Sequence, residues 1–279
     1  MREAKASCPA SISLIFKACP DKNPYKTGST GVGFTVDKKV SVRVKPSVKN
    51  RVLFNGKEIS FPTVFAVLEK FKKTAEVNIT SSLPLGFGFG ISGASALATS
   101  FAINKLFALN KSPLELTGIA HVAEIENKTG LGSVGTVASG GFLVKTAPGI
   151  PVVARKLPFA GKKVYATIIK RLPTKSVLKN KKRLAIINQS ARVQLEKIKK
   201  IASPSLEEII DNAYNFALES GLVDNREVVN LIESIRKNGG HATMAMLGHV
   251  VISDTKPDFA KNYRIEEFVI TNSHIETTA

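Results

Sequence analysis

Between Leu83 and Ala96 the chain reads Leu83-Pro84-Leu85-Gly86-Phe87-Gly88-Phe89-Gly90-Ile91-Ser92-Gly93-Ala94-Ser95-Ala96. Glycines fall at every second position and stop where a run of small residues begins. Such a stretch makes a loop leading into a helix, because glycine loses most conformational freedom in regular structure. Without side chains, the backbone N–H groups are open to close approach by an anion. The helix that follows adds its free N–H groups and the positive end of its dipole. Ser92 falls in that helix's first turn, where a hydroxyl can reach a metal ion or a phosphate oxygen. The stretch therefore reads as a phosphate-binding loop.

Other glycine loops fit less well. Gly88-x-Gly90-x-x-Gly93 spells a dinucleotide fingerprint, which needs a tight strand-to-glycine junction and a βαβ unit with an acid about 20 residues on. Here Ser82-Leu83-Pro84 intervenes and the helix is followed by another helix. A protein-kinase glycine loop would run into a Val-Ala-x-Lys strand, whereas here a helix comes next, and the Walker pattern is missing. A loop of purely structural purpose stays open.

Ser81 to Asn104 contains no charged residue and is long enough to span a bilayer. Pro84 and four glycines interrupt it, and it is rich in Ser and Ala, which favours a buried helix instead. No secretory signal is visible. Cys8 and Cys19 have no metal spacing and read as free thiols in a reducing compartment, so a cytoplasmic location is expected, a bridge between the two staying open. The formal charge is +18 and unevenly placed. Arg155–Lys200 is strongly basic and Pro204–Glu233 acidic. The basic stretch reads as a solvated lysine face or as an attractor of anions. Phe159 and Tyr165 are its sole aromatics, which argues against nucleic acid.

Before the glycine loop the pattern is strands and turns. Ala10–Phe16 is a short strand, Gly28–Gly33 a turn or ligand loop, and Val40, Val42 and Val44 alternate with charges as on a half-buried strand. Asn55-Gly56 marks a hairpin. Thr63–Lys73 is an amphipathic helix and Val77–Thr80 a strand. A helix over about Ser92–Leu109 follows the loop. A second runs from Pro113 to about Lys128, with Ser112 and Glu115 as a capping box. Thr129–Ser139 reads as a loop and Gly140–Lys145 as a strand. Ala147–Pro151 is the best candidate boundary, dividing the chain into domains 1–150 and 151–279. Beyond it come a strand (Lys163–Ile169), helices over about Ser176–Ile201, Leu206–Ser220 and Arg226–Lys237, and strands over Thr243–Leu247, His249–Ser253 and Ile265–Thr271. Strands and helices are segregated, so the expected class is α+β.

Pro84-x-Gly86-x-Gly88-x-Gly90-x-Ser92 resembles the second motif of the GHMP kinases, the family of galactokinase, homoserine kinase and mevalonate kinase. Further blocks resemble its archaeal pantoate kinase branch: Pro9-Ala10-Ser11-Ile12-Ser13, Gly28-Ser29-Thr30-Gly31-Val32-Gly33, His121-x-x-Glu124, Asn127-x-Thr129-Gly130-Leu131-Gly132, and the block from Gly239 to Gly248. The resemblance implies an N-terminal domain like the second domain of ribosomal protein S5 and a ferredoxin-like C-terminal domain. ATP and Mg²⁺ would meet a small-molecule substrate, pantoate, between them.

It further implies that Pro84, Gly86, Gly88, Gly90, Ser92, Gly93, Ala94 and Ser95 bind ATP, and that Ser92 and Glu124 hold Mg²⁺. Ser29, His121 and Lys145 would hold the substrate. Periodicity alone puts Glu124 at the edge of its helix's apolar stripe, as a surface glutamate would be. Two positions depart from the resemblance. Lys145 stands for an arginine, replacing a two-pronged grip with a single-point one. Ser133 stands where an aspartate, the presumed catalytic base, is expected. A dispensable base, a substitute acid and an impaired enzyme all remain open, as do another GHMP kinase activity and a homodimer.

Overall fold

The computed structural model describes residues 3–172 and 180–278. Its spine is a two-stranded ribbon. β1 (Ala4–Cys19) and β2 (Gly28–Pro46) pair antiparallel along their length, with register shifts at Pro9/Ala10 and Ser13/Ile15. Val40, Val42 and Val44 are buried and Ser41 and Arg43 point outward, the period-2 alternation of a strand with one covered face.

Two branches leave the ribbon. At one end β5 (Ala75–Ser81) pairs with Val40–Pro46 and carries β3 (Arg51–Phe54) and β4 (Lys57–Glu58) beyond it. Asn55 and Gly56, at φ 48° and 80°, turn the expected hairpin. At the other end β6 (Phe142–Ala147) pairs with Gly31–Phe34, and β7 (Val153–Leu157) pairs with β6. The Gly28–Gly33 segment, expected as a turn or ligand loop, is thus a strand held between two neighbours. Ala147–Pro151, expected as a boundary, joins two paired strands of one sheet. The chain changes sheets later, between Leu157 and Lys163, and β12 (Glu276–Thr278) returns to pair with β1.

One face of this sheet is covered by α1 (Pro62–Phe71), α2 (Ile91–Phe107), α3 (Pro113–Asn127) and α4 (Ser133–Ser139). α4 lies where the sequence reads as a loop. α2 is central: it packs on β1 and β2 and is flanked by α1, α3 and α4. It is buried nearly all round, which accounts for a helix without charge until its last turns. Among the described residues no helix is long and apolar enough to cross a membrane.

The second sheet runs β11 (Arg264–Val269), β8 (Lys163–Lys170), β10 (His249–Ser253), β9 (Ala242–Met244), each pair antiparallel. With it go α5 (Lys181–Lys200), α6 (Leu206–Glu219) and α7 (Arg226–Lys237). Residues 176–179 of the expected helix lie outside the described residues. Capping boxes form at Ser112/Glu115 and Ser205/Glu208, as their spacing requires. The two halves share one core. Phe16 of β1 meets Phe216 of α6 edge-on with ring centroids 6.1 Å apart, each such buried ring contributing about 1.5–3 kcal/mol. The Met246 amide donates to the Ser13 carbonyl at 2.8 Å. The class is α+β, as expected.

Candidate active site

After β5 the chain enters the glycine loop. Gly86, Gly88 and Gly90 take φ of 88°, 85° and 64°. A side chain at any of them would be strained, which is why glycine recurs at alternate positions. Gly90 is the N-cap of α2, and no side chain caps that helix. The first-turn amides of Ile91, Ser92 and Gly93 therefore lack helical partners. The Ala94 amide is occupied by the Gly90 carbonyl at 3.0 Å. Ala94 and Ser95 turn into the core. The second sheet's loop closes on the glycines: a Cβ on Gly88 would stand 3.0 Å from the Met246 carbonyl oxygen, and one on Gly248 2.5 Å from the Phe87 carbonyl carbon.

Facing the loop is Glu124 of α3. It is fully buried, yet it lines the same cavity of about 390 Å³, within the range of small-molecule sites. The Ser133 hydroxyl donates to its Oε1, and the Val134 amide lies 3.5 Å from Oε2. Both donors belong to the first turn of α4, an end that favours negative charge. Burial raises the Glu124 pKa above the usual carboxylate range, and the bonds from Ser133 and Val134 pull it partly back. Glycines clear its seat: a Cβ on Gly130 would lie 2.5 Å from Oε1, and one on Gly93 2.9 Å from it. The Ser92 hydroxyl donates to Thr63 at 3.2 Å, and Thr63 meets Thr129 at 2.9 Å, tying α2 to α1 and to the loop after α3.

Behind this wall sits Lys145 of β6. It is buried, its Nζ donates to the Gly132 carbonyl at 3.0 Å, and burial lowers its pKa to about 8 against the opposing pull of Glu124. Ser29 lines the cavity from the start of β2. A Cβ on Gly132 would collide with the Lys145 ammonium and lie 2.7 Å from the Ser29 hydroxyl, so the two converge there. His121 is buried one turn before Glu124 and does not line the cavity. Its Nε2 pairs with the Thr27 carbonyl at 2.8 Å, and its Nδ1 has no partner among the described residues. Burial lowers its pKa, with the Lys145 charge adding to the effect.

Of the expected residues, Gly86, Gly88, Gly90, Ser92, Ser29, Glu124 and Ser133 line one cavity. Pro84, Gly93, Ala94, Ser95, His121 and Lys145 stand outside its wall. Ser11, Ser13, Lys128 and Arg171 also line it and were not singled out from sequence as site residues. For Ser11 and Ser13 the signal was at hand, since they lie in the Pro9–Ser13 block. For Lys128 and Arg171 nothing local sets them apart from other basic residues.

A loop with glycine at positive φ in every second position, set against a carboxylate, suits transfer of a phosphoryl group from a nucleotide. Residues 61–141 match the GHMP kinases N terminal domain, and the chain is an ATP-dependent phosphotransferase acting on an alcohol group. It is 30% identical to the pantoate kinase of Methanocaldococcus jannaschii, over 90% of this chain and 92% of that protein. It is 31% identical to the pantoate kinase of Thermococcus kodakarensis, over 92% and 90%. A solved structure described as a phosphotransferase related to the CoA biosynthesis pathway superposes with a TM-score of 0.85 at 25% identity, covering 99% of this chain and 98% of that one. The chain belongs to the GHMP kinases, in the branch of the pantoate kinases.

Proposed function

We propose that the protein transfers the γ-phosphoryl group of ATP to the primary hydroxyl of pantoate, giving 4-phosphopantoate on the route to coenzyme A. The observation that carries this is the convergence of the glycine loop, Ser92, Glu124 and Ser29 on one cavity, in a chain that aligns with pantoate kinases over nearly its whole length.

The donor set fits Mg²⁺. One carboxylate and one hydroxyl are hard oxygen ligands, and Mg²⁺ takes one or two from a protein and the rest from phosphate and water. Glu124 and Ser92 would hold it. Ser92 donates its proton to Thr63, which leaves its lone pairs for a cation. When bound there, Mg²⁺ neutralises charge on the phosphates.

The chain's own work is positioning. The loop amides hold the phosphates. Ser29 meets the pantoate from the cavity wall, while Lys145 and His121, buried outside that wall, set the charge and packing behind Gly132. Ser133 orients Glu124 rather than acting as a base, and a loose transition state asks for little early deprotonation of the acceptor. The same reading puts the enzyme in the cytoplasm.

The test is a coupled ADP-release assay, with and without Mg²⁺, against pantoate, homoserine, shikimate and mevalonate. Mg²⁺-dependent turnover with pantoate, at a kcat/KM well above the other three, is expected. Turnover confined to another of them would overturn the substrate.

A further inference from the structure

ATP carries its negative charge on the phosphates, and among the described residues the cavity wall offers two cationic side chains, Lys128 and Arg171. They come from different parts of the fold. Lys128 ends α3. Arg171 follows β8 and so belongs to the second sheet, whereas the phosphate loop follows β5 of the first. Arg171 nevertheless packs against that loop. A Cβ on Gly86 would stand 2.9 Å from its Cζ and 3.1 Å from its Nη2. Gly86, the first of the alternating glycines, thus clears the space the guanidinium occupies. The fork of donors on an arginine matches phosphate oxygens in pairs, and its charge is independent of pH.

We infer that Arg171 reaches across from the second sheet and grips the part of the ATP phosphate chain that stays with ADP. The inference rests on the kinase assignment. Arg171 meets the loop at Gly86, the end remote in sequence from Ser92, where the transferred group and its metal are placed. A contact to the retained phosphates is equally strong before and during transfer. Its removal therefore raises the KM for ATP and leaves kcat nearly unchanged.

The experiment uses calorimetry with ATP, ADP and adenosine on the full chain and its Arg171→Ala and Arg171→Lys variants, with steady-state kinetics alongside. The alanine variant should weaken ATP and ADP by the same factor, roughly 10–100-fold, the usual worth of a charged hydrogen bond. Adenosine affinity and melting temperature should not move, and kcat at saturating ATP should stay within about threefold. Lysine should restore part of the loss, since it keeps the charge but not the fork. Wild-type ADP affinity in the alanine variant, with or without loss of ATP affinity, would overturn the inference. So would an equal loss of adenosine binding, which marks a packing role. A wild-type chain that binds no ATP would instead bring down the kinase assignment, and this inference with it.

Discussion

Lys145 has a charge that burial weakens and Glu124 sustains, and its pKa of about 8 puts its titration within reach of ordinary assays. The ammonium form is the one that attracts a carboxylate, and it is present below that pH. As pH rises through about 8 the charge is lost, so kcat/KM for pantoate should fall by about tenfold per pH unit beyond it. Lys145→Arg should flatten this limb, because a guanidinium stays charged. This group's effect on stability runs the opposite way. An unfolded chain keeps that lysine protonated up to its ordinary pKa, so between about 8 and 10.5 this group makes stability rise with pH while activity falls. A pH profile from 6.5 to 9.5 for both proteins decides it, and an unchanged limb in Lys145→Arg would remove the ammonium from substrate binding.

Within α2, Gly93 inverts the usual rule for helices. Glycine inside a helix costs roughly 0.5–1 kcal/mol relative to alanine, so Gly93→Ala would ordinarily stabilise. Here the added Cβ would sit 2.6 Å from the Ser133 hydroxyl and 2.9 Å from Glu124 Oε1, and overpacking of this kind costs about 1–3 kcal/mol. The variant should melt lower and lose Mg²⁺-dependent turnover together. A higher melting temperature with activity intact would show that the Glu124 seat is roomier than these distances state. How far elements could be read from sequence follows the same logic of environment. α2, its loop and the capped helix α3 were legible because their signals are local: spacing of glycines, a cap, a period. α4 was not, since seven residues with glycine and serine and no side-chain cap look like a loop. The edge strands β7 and β12 lack a clean alternation of apolar residues. Gly28–Gly33 misled because glycine has two meanings in a strand. At Gly33 it marks close backbone approach, a Cβ there lying 2.9 Å from the Ile12 carbonyl oxygen. In the site, Ser92 and Glu124 were legible from motifs, whereas Arg171 and Lys128 join the cavity through tertiary packing alone.

At the scale of the whole molecule, the glycine loop is held from both sheets. Gly248 sets the distance: a Cβ there would meet the Phe87 carbonyl carbon at 2.5 Å and the Gly88 amide at 3.0 Å, both backbone atoms that cannot swing away. Gly248→Ala should therefore push the second sheet off the loop, lowering stability by about 1–3 kcal/mol and raising the KM for ATP by at least roughly tenfold. Thermal melting and ATP titration of kcat check both, and a variant unchanged in each would show that the loop holds its shape without this contact. The same closure has a bearing on how the protein comes into being. The glycine loop and Ser11 leave the ribosome early, but Met246–Gly248, which closes over them, follows on the order of 10 s later at ordinary rates of synthesis. During that interval the loop lacks one of its walls. Nucleotide can lend stability only to a chain that binds it, so ATP braces the first sheet in full only once Met246–Gly248 has closed over the loop.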